Sequence, residues 1–111
     1  MKQDVTAEPG WAALEAQAEQ AARMLASLAH GKRLMALCHL LEGEKSVGQL
    51  AALIGLSPTA LSQHLARLRD LGLVETRREA QTILYRLASA EVRAILETLH
   101  QLYCAPQVQP D

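Results

Sequence analysis

A mainly α-helical domain with one small β-hairpin is the fold class predicted by this 111-residue sequence, and three observations predict it. Between Ser46 and Leu71 two short amphipathic patterns meet at a glycine corner, the arrangement of a helix-turn-helix. Half of the residues are apolar, yet only Trp11, Tyr85 and Tyr103 are aromatic, so the core must come from Leu, Ala, Val and Ile, a helix-favouring mixture. Immediately after the second pattern, LVETRR and TILYRL carry β-branched and aromatic residues on either side of Glu79, Ala80 and Gln81, as a hairpin does. A chain of this length supplies one domain with a modest core.

Residues 1–10 are polar, end in Pro-Gly and lack periodicity, so they read as a flexible tail, and residues 11–104 as the folded unit. From Trp11 to Leu28 the chain is Ala-rich. Trp11, Leu14, Ala18, Ala21, Leu25 and Leu28 recur at three- and four-residue steps, a narrow stripe that suits a helix–helix seam and equally suits packing within one chain. His30-Gly31 interrupts the pattern. Lys32 to Leu41 resumes it, with Leu34, Leu37, Cys38 and Leu41 on one side.

After the EGEK loop, Val47, Leu50, Ala51 and Ile54 give the next helix one apolar face, and Ser46 with Gln49 forms a capping box at its start. Gly55 suits the left-handed position that ends a helix, and small Ala51 lets the following helix cross closely. Ser57 and Pro58 then open the second helix as N-cap and first helical residue. Leu61, Leu65, Leu68 and Leu71 form its buried stripe. Its other face, Thr59, Ser62, Gln63, His64 and Arg67, is polar and carries almost no acid. Such a face matches the edges and backbone of double-stranded DNA. Gln63 can meet an adenine with both amide groups, Arg67 can reach guanine or phosphate, and the hydroxyls of Ser46, Ser57, Thr59 and Ser62 can take phosphate oxygens.

Gly72 ends that helix, and in the hairpin Ile83, Tyr85 and Leu87 alternate with Leu84 and Arg86, predicting one buried face. Arg77, Arg78 and Gln81 fall near the tip, placed to lie along a phosphate backbone or enter a minor groove. Ser89 caps a last helix running to about Tyr103, whose positions Val92, Ile95, Leu96, Leu99, Leu102 and Tyr103 repeat at helical spacing. Pro106 and Pro110 stop any continuation, leaving residues 105–111 as a flexible C-terminal tail.

The net charge of −1 conceals a division along the chain. From Gly31 to Leu87 there are eight Lys or Arg against five acids, a surplus of three positive charges, whereas the rest holds three against seven. The basic charge thus accompanies the helix-turn-helix and hairpin. No apolar run approaches a membrane span of roughly 18 residues and no signal-peptide stretch opens the chain, so a cytoplasmic protein without a membrane partner is expected. No phosphate-binding Gly loop, paired-carboxylate motif or nucleophile elbow occurs, which argues against an enzyme, and nothing calls for a cofactor.

Across Ala22 to Cys104 the chain resembles winged-helix repressors of the ArsR/SmtB type, through LASLAHGKRLMAL, SVGQLAALIGLSPTALSQHLARLRDLGLV and ETRREAQTILYRL. The resemblance implies a winged helix-turn-helix that forms a homodimer through its first and last helices. It implies an interface drawn from Trp11, Leu14, Ala18, Ala21, Leu25, Val92, Ile95, Leu99 and Leu102, and a palindromic operator read by two recognition helices in successive major grooves. Within that family the chain is most similar to the sulfane-sulfur and redox sensors of the BigR, SqrR, HlyU and YgaV kind. Cys38 in LMALCHLL and Cys104 in LHQLYC carry that similarity, as the only cysteines present.

The similarity implies a dithiol sensor in which reactive sulfur species bridge Cys38 and Cys104, lower DNA affinity and so derepress target genes. Metal-sensing members match less well. SVGQLA stands where some carry Cys-x-Cys, and Ser89, Glu91 and Leu102 fall where zinc sensors carry Asp, His and His. The alternative is a metal- or arsenite-responsive repressor that uses Cys38, His100 and Cys104 as soft ligands.

Overall fold

The computed structural model describes residues 9–104. Six helices and three strands follow in the order α1 (Pro9–Ala16), α2 (Ala18–Leu28), α3 (Gly31–Leu40), β1 (Lys45–Ser46), α4 (Val47–Ile54), α5 (Pro58–Asp70), β2 (Val74–Glu79), β3 (Thr82–Leu87) and α6 (Ala90–Tyr103). This is the predicted mainly helical chain with a small antiparallel sheet. The expected terminal tails, 1–10 and 105–111, lie outside the described residues, save that Pro9 and Gly10 already open α1.

The caps form where the sequence places them. Ser46 Oγ accepts the Gln49 N–H at 3.1 Å while Gln49 Oε1 accepts the Ser46 N–H at 2.8 Å, a reciprocal pair that satisfies two donors at the start of α4. Gly55 ends α4 at φ 74°, ψ 36°, with its N–H on the Ala51 carbonyl at 2.9 Å. Lys32 Nζ takes the Ile54 carbonyl at 2.8 Å, tying the start of α3 to the same corner. Ser57 Oγ accepts from Ala60 N–H and Ser89 Oγ from Val92 N–H, each at 3.1 Å, fixing the starts of α5 and α6.

Leu37, Leu40, Leu50, Leu61, Leu65 and Leu68 meet Val74, Val92 and Leu96 in one fully buried cluster that joins α3, α4, α5, β2 and α6. Burying each such leucine contributes roughly 1.5–3 kcal/mol, so this cluster anchors one face of α5 in the core. Two apolar stripes run past the core. Leu71, expected to continue the buried face of α5, is its C-cap and 45% exposed, and Ile83, at the hairpin end, is 42% exposed.

Two elements depart from the sequence reading. The single helix expected over Trp11–Leu28 is broken at Gln17, whose N–H bonds the Leu14 carbonyl at 3.0 Å, into α1 and α2. Nothing in the structure explains that break. The EGEK loop, expected to be irregular, supplies β1, and the sheet order is β1-β3-β2, all antiparallel. Ser46 is therefore at once the end of a strand paired with Leu84 and the cap of α4, so the sheet edge and the helix-turn-helix share one residue.

Candidate nucleic-acid interface and thiol site

Because Leu61, Leu65 and Leu68 fill the core, the opposite side of α5 faces outward and presents Thr59, Ser62, Gln63 and Arg67, all exposed. No acid lies in the first turn of this helix. Ser57 is exposed as well, its Oγ already accepting the cap bond, and the Ser46 hydroxyl is half-buried and engaged in the capping box. Ser46 therefore serves α4 first. The polar face expected for reading nucleic acid is otherwise assembled on one helix side, with one residue displaced from it.

That residue is His64. Its ring lies 4.9 Å from the ring of His30, centroid to centroid, tilted by 47°, and it is half-buried between α5 and the start of α3. Partial desolvation lowers its pKa, and the charges of Arg33 and His30 lower it further. Sequence placed His64 among the outward polar residues; the packing gives it an internal partner instead.

The hairpin sorts its arginines by strand alternation. Glu75, Arg77 and Glu79 share one face of β2, and there Arg77 Nε donates to both carboxylate oxygens of Glu44 at 2.9 Å, with Nη2 at 2.8 Å from Oε1 and 3.6 Å from Glu79. Arg86, opposite Glu75, bonds it at 2.6 Å and stands 3.7 Å from Glu44. Hydrogen bonding from Arg77 is the main cause that holds the Glu44 carboxyl below its usual range. Arg78 points to the other face, beside Ile83 on the paired strand, with no ion-pair partner among the described residues. Gln81 follows Ala80, which turns the hairpin at φ 58°, and both are exposed. Of the three expected tip contacts, Arg78 and Gln81 are open and Arg77 is engaged.

Sequence reasoning missed Glu44, thirty-three residues from its partner. The alternation of acid and base at 75, 77 and 79 was the available signal.

Cys38 is half-buried near the end of α3 and lines a cavity of about 440 Å³ with Leu41, Glu42, Glu97, His100 and Gln101. Cys104 is exposed at the C-cap of α6, where its N–H bonds the His100 carbonyl at 2.7 Å. Both thiols are free, and they stand apart. Burial, and secondarily the charge of Cys104, push the Cys38 thiol up. His100 shares the Cys38 cavity, but Cys104 does not line it, and among the described residues no group of three or more His, Cys, Asp or Glu is gathered for a metal ion. The ligand set Cys38, His100 and Cys104 is not assembled.

The expected dimer stripes divide. Trp11 is 73% exposed, Leu14 48%, Leu25 52% and Leu102 64%; Ala18 is also exposed, and Ala21 is half-buried. Val92, in contrast, is fully buried in the core of the single chain, which corrects its assignment to an outer face. Ile95 and Leu99 are half-buried along a shallow hollow on α6. A groove of about 680 Å³ runs between Leu14, Ala21 and Met24 on one side and Leu71 and Leu73 on the other. Among the described residues no helix is long and apolar enough to cross a membrane.

Comparison with known proteins gives a consistent set. Residues 30–76 match the bacterial regulatory protein, arsR family. The transcriptional activator HlyU of Vibrio cholerae is 52% identical over 91 residues, covering 82% of this chain and 84% of that one. The structure of its reduced form aligns with a TM-score of 0.78 over 82% of this chain and 96% of that chain. A biofilm growth-associated repressor of Agrobacterium fabrum is 45% identical over 95 residues, covering 86% and 81%. The homodimeric winged helix-turn-helix DNA-binding domain of Mb0332 from Mycobacterium bovis, solved by solution NMR, is 31% identical with a TM-score of 0.70, covering 92% and 89%.

Proposed function

Because the chain belongs to the arsR family of bacterial regulatory proteins and is a DNA-binding transcriptional regulator rather than an enzyme, we propose that it is a dimeric, cytoplasmic repressor that senses reactive sulfur through Cys38 and Cys104. Residues 11–104 form its DNA-binding and dimerisation unit. The operator is palindromic, since a two-fold dimer offers two copies of α5 to successive major grooves. Gln63 and Arg67 read bases, while Thr59, Ser62, Arg78 and Gln81 hold phosphates or the adjoining minor groove. The second copy covers Leu14, Leu25, Leu99 and Leu102, which are exposed or half-buried in the single chain, and a homodimeric relative supports a two-copy assembly.

The observation that carries the sensing reading is the pair of free thiols at the ends of α3 and α6, two helices that pack on one another. One thiolate attacks the outer sulfur of a persulfide RSSH, RS⁻ leaves, and a protein persulfide forms. Attack by the second thiolate on the protein sulfur expels HS⁻ and leaves a disulfide; where a polysulfide RS–S–SR has instead left an adduct of one cysteine sulfur, one sulfane sulfur and SR, attack on the sulfane sulfur expels RS⁻ and leaves a trisulfide bridge. Because the sulfurs stand apart, the bridge draws the end of α6 toward α3, which packs on α5 as well. The recognition helices shift, and DNA affinity falls.

Intact-mass spectrometry after separate exposure to glutathione persulfide, glutathione disulfide and peroxide tests this reading. Loss of two protons, or a gain of sulfur with that loss, after persulfide supports it. An unchanged mass after persulfide excludes it.

A further inference from the structure

The cavity beside Cys38 has a chemical character of its own. Cys38 is the one thiol on its wall, and the polar groups around it are two carboxylates, Glu42 and Glu97, with His100 and Gln101. Glu42 is partly offset by Lys45 Nζ at 3.3 Å and stands 4.0 Å from His39 Nδ1. Glu97 has no ion-pair partner among the described residues. Negative charge therefore rims the entry to the half-buried thiol. Resting on the sensing function proposed above, we infer that the sulfur donor docks in this cavity against Cys38 and that the Glu97 and Glu42 carboxylates select donors whose organic arms carry no net negative charge.

The geometry separates the reacting sulfur from the discriminating charge. Glu42 and Glu97 stand on the wall beside Cys38, where they meet the organic arms of the visitor, and whatever they do to the thiolate itself is the same for every donor. An organic trisulfide RS–S–SR makes the chemistry explicit. The Cys38 proton goes to solvent, the thiolate attacks the central sulfur, one S–S bond forms, one breaks, and RS⁻ departs. The product is a Cys38–S–S–SR adduct. In the intact protein Cys104 then attacks the same central sulfur and expels the second RS⁻, which leaves a trisulfide bridge with no external oxidant or reductant.

In a Cys104→Ser background the reaction stops at the Cys38 adduct, and its rate can be followed by mass for trisulfides of cysteamine, cysteine and glutathione, whose arms are cationic, zwitterionic and net anionic. Dividing each rate by that of the same protein carrying Glu97→Gln cancels the intrinsic reactivity of each donor. Glu97 is exposed, so the substitution spares the fold. Relative to the cysteine reaction, removing one rim charge should speed the glutathione reaction by roughly two- to threefold per unit of arm charge at low salt and slow the cysteamine reaction, and high salt should erase these differences. Equal ratios for the three donors overturn the charge selection. Absence of any adduct on Cys38 with all three overturns docking at Cys38, and the sensing function itself falls if the protein with both cysteines also takes up no sulfur from them.

Discussion

The Arg77 guanidinium grips both oxygens of the Glu44 carboxylate at 2.9 Å, and this pairing divides two adjacent arginines into different tasks. Arg77 braces the hairpin against the loop before α4, with its charge already answered. Arg78, on the opposite face, has no ion-pair partner among the described residues, and we assign it to phosphate. Replacing Arg78 with Ala should weaken binding to all sequences alike and reduce the slope of log K against log salt by about one, as expected for one lost phosphate contact. The slope for Arg77→Ala should change less, because Glu44 and not a counterion is what Arg77 gives up. Fluorescence anisotropy across a salt series measures both.

Gln63 lies on the exposed face of α5 without an internal partner among the described hydrogen bonds. If it meets an adenine edge, Gln63→Ala should cost about 1–3 kcal/mol on the operator and much less on unrelated DNA, so preference relaxes while non-specific binding persists. Competition titrations with single-base operator variants locate the position it reads. An unchanged preference at every position moves the reading surface elsewhere.

His64 makes stability depend on acid. Its folded pKa is depressed by desolvation and by Arg33 and His30, while an unfolded histidine titrates near about 6.5. Below that value the unfolded chain takes up the proton more readily. Stability contributed by neutral His64 is therefore whole above about pH 6.5 and is lost as pH falls from there through the folded pKa. Urea unfolding between pH 7.5 and 5.5, roughly spanning that window, should show a smaller loss in His64→Gln than in the parent protein.

The side of α6 beyond the core carries Ile95, Leu99 and Leu102, and the first helices expose Trp11, Leu14 and Leu25. A charge placed there, as in Leu99→Asp or Leu14→Asp, should shift sedimentation toward the single chain and with it abolish tight operator binding, since each half-site alone gives only weak affinity. Val92→Ala should behave differently. Val92 is wholly buried within one chain, so its truncation should lower the unfolding free energy by about 1–3 kcal/mol, and with it the midpoint, and leave the association state intact.

What the sequence made legible was chemistry confined to a few neighbouring residues. The Ser46–Gln49 box, the Gly55 corner, the Ser57 and Ser89 caps and the Leu61–Leu65–Leu68 stripe are encoded within a helical turn or two, and they fold as read. Contacts set by tertiary placement were not legible. His30 and His64 meet only because α3 crosses α5, and Glu44 meets Arg77 only because β1 pairs with β3 in one particular register. Periodicity likewise showed that α6 is apolar but not that Val92 and Leu96 enter the core while Ile95, Leu99 and Leu102 belong to a second face. The cysteines were visible as a pair. That their sulfurs stand apart, with an acidic cavity beside only one of them, needed coordinates.

The central claim, that one thiol at the end of α3 and one at the end of α6 act together to release DNA, is tested most directly by operator affinity of the parent, Cys38→Ser and Cys104→Ser proteins before and after a persulfide donor. All three should bind alike when reduced. The parent should then lose about 5- to 150-fold in affinity, the span of an allosteric coupling of about 1–3 kcal/mol, while both single-serine proteins keep their grip. A Cys104→Ser protein that still releases DNA at the parent's donor concentration would contradict the two-cysteine mechanism.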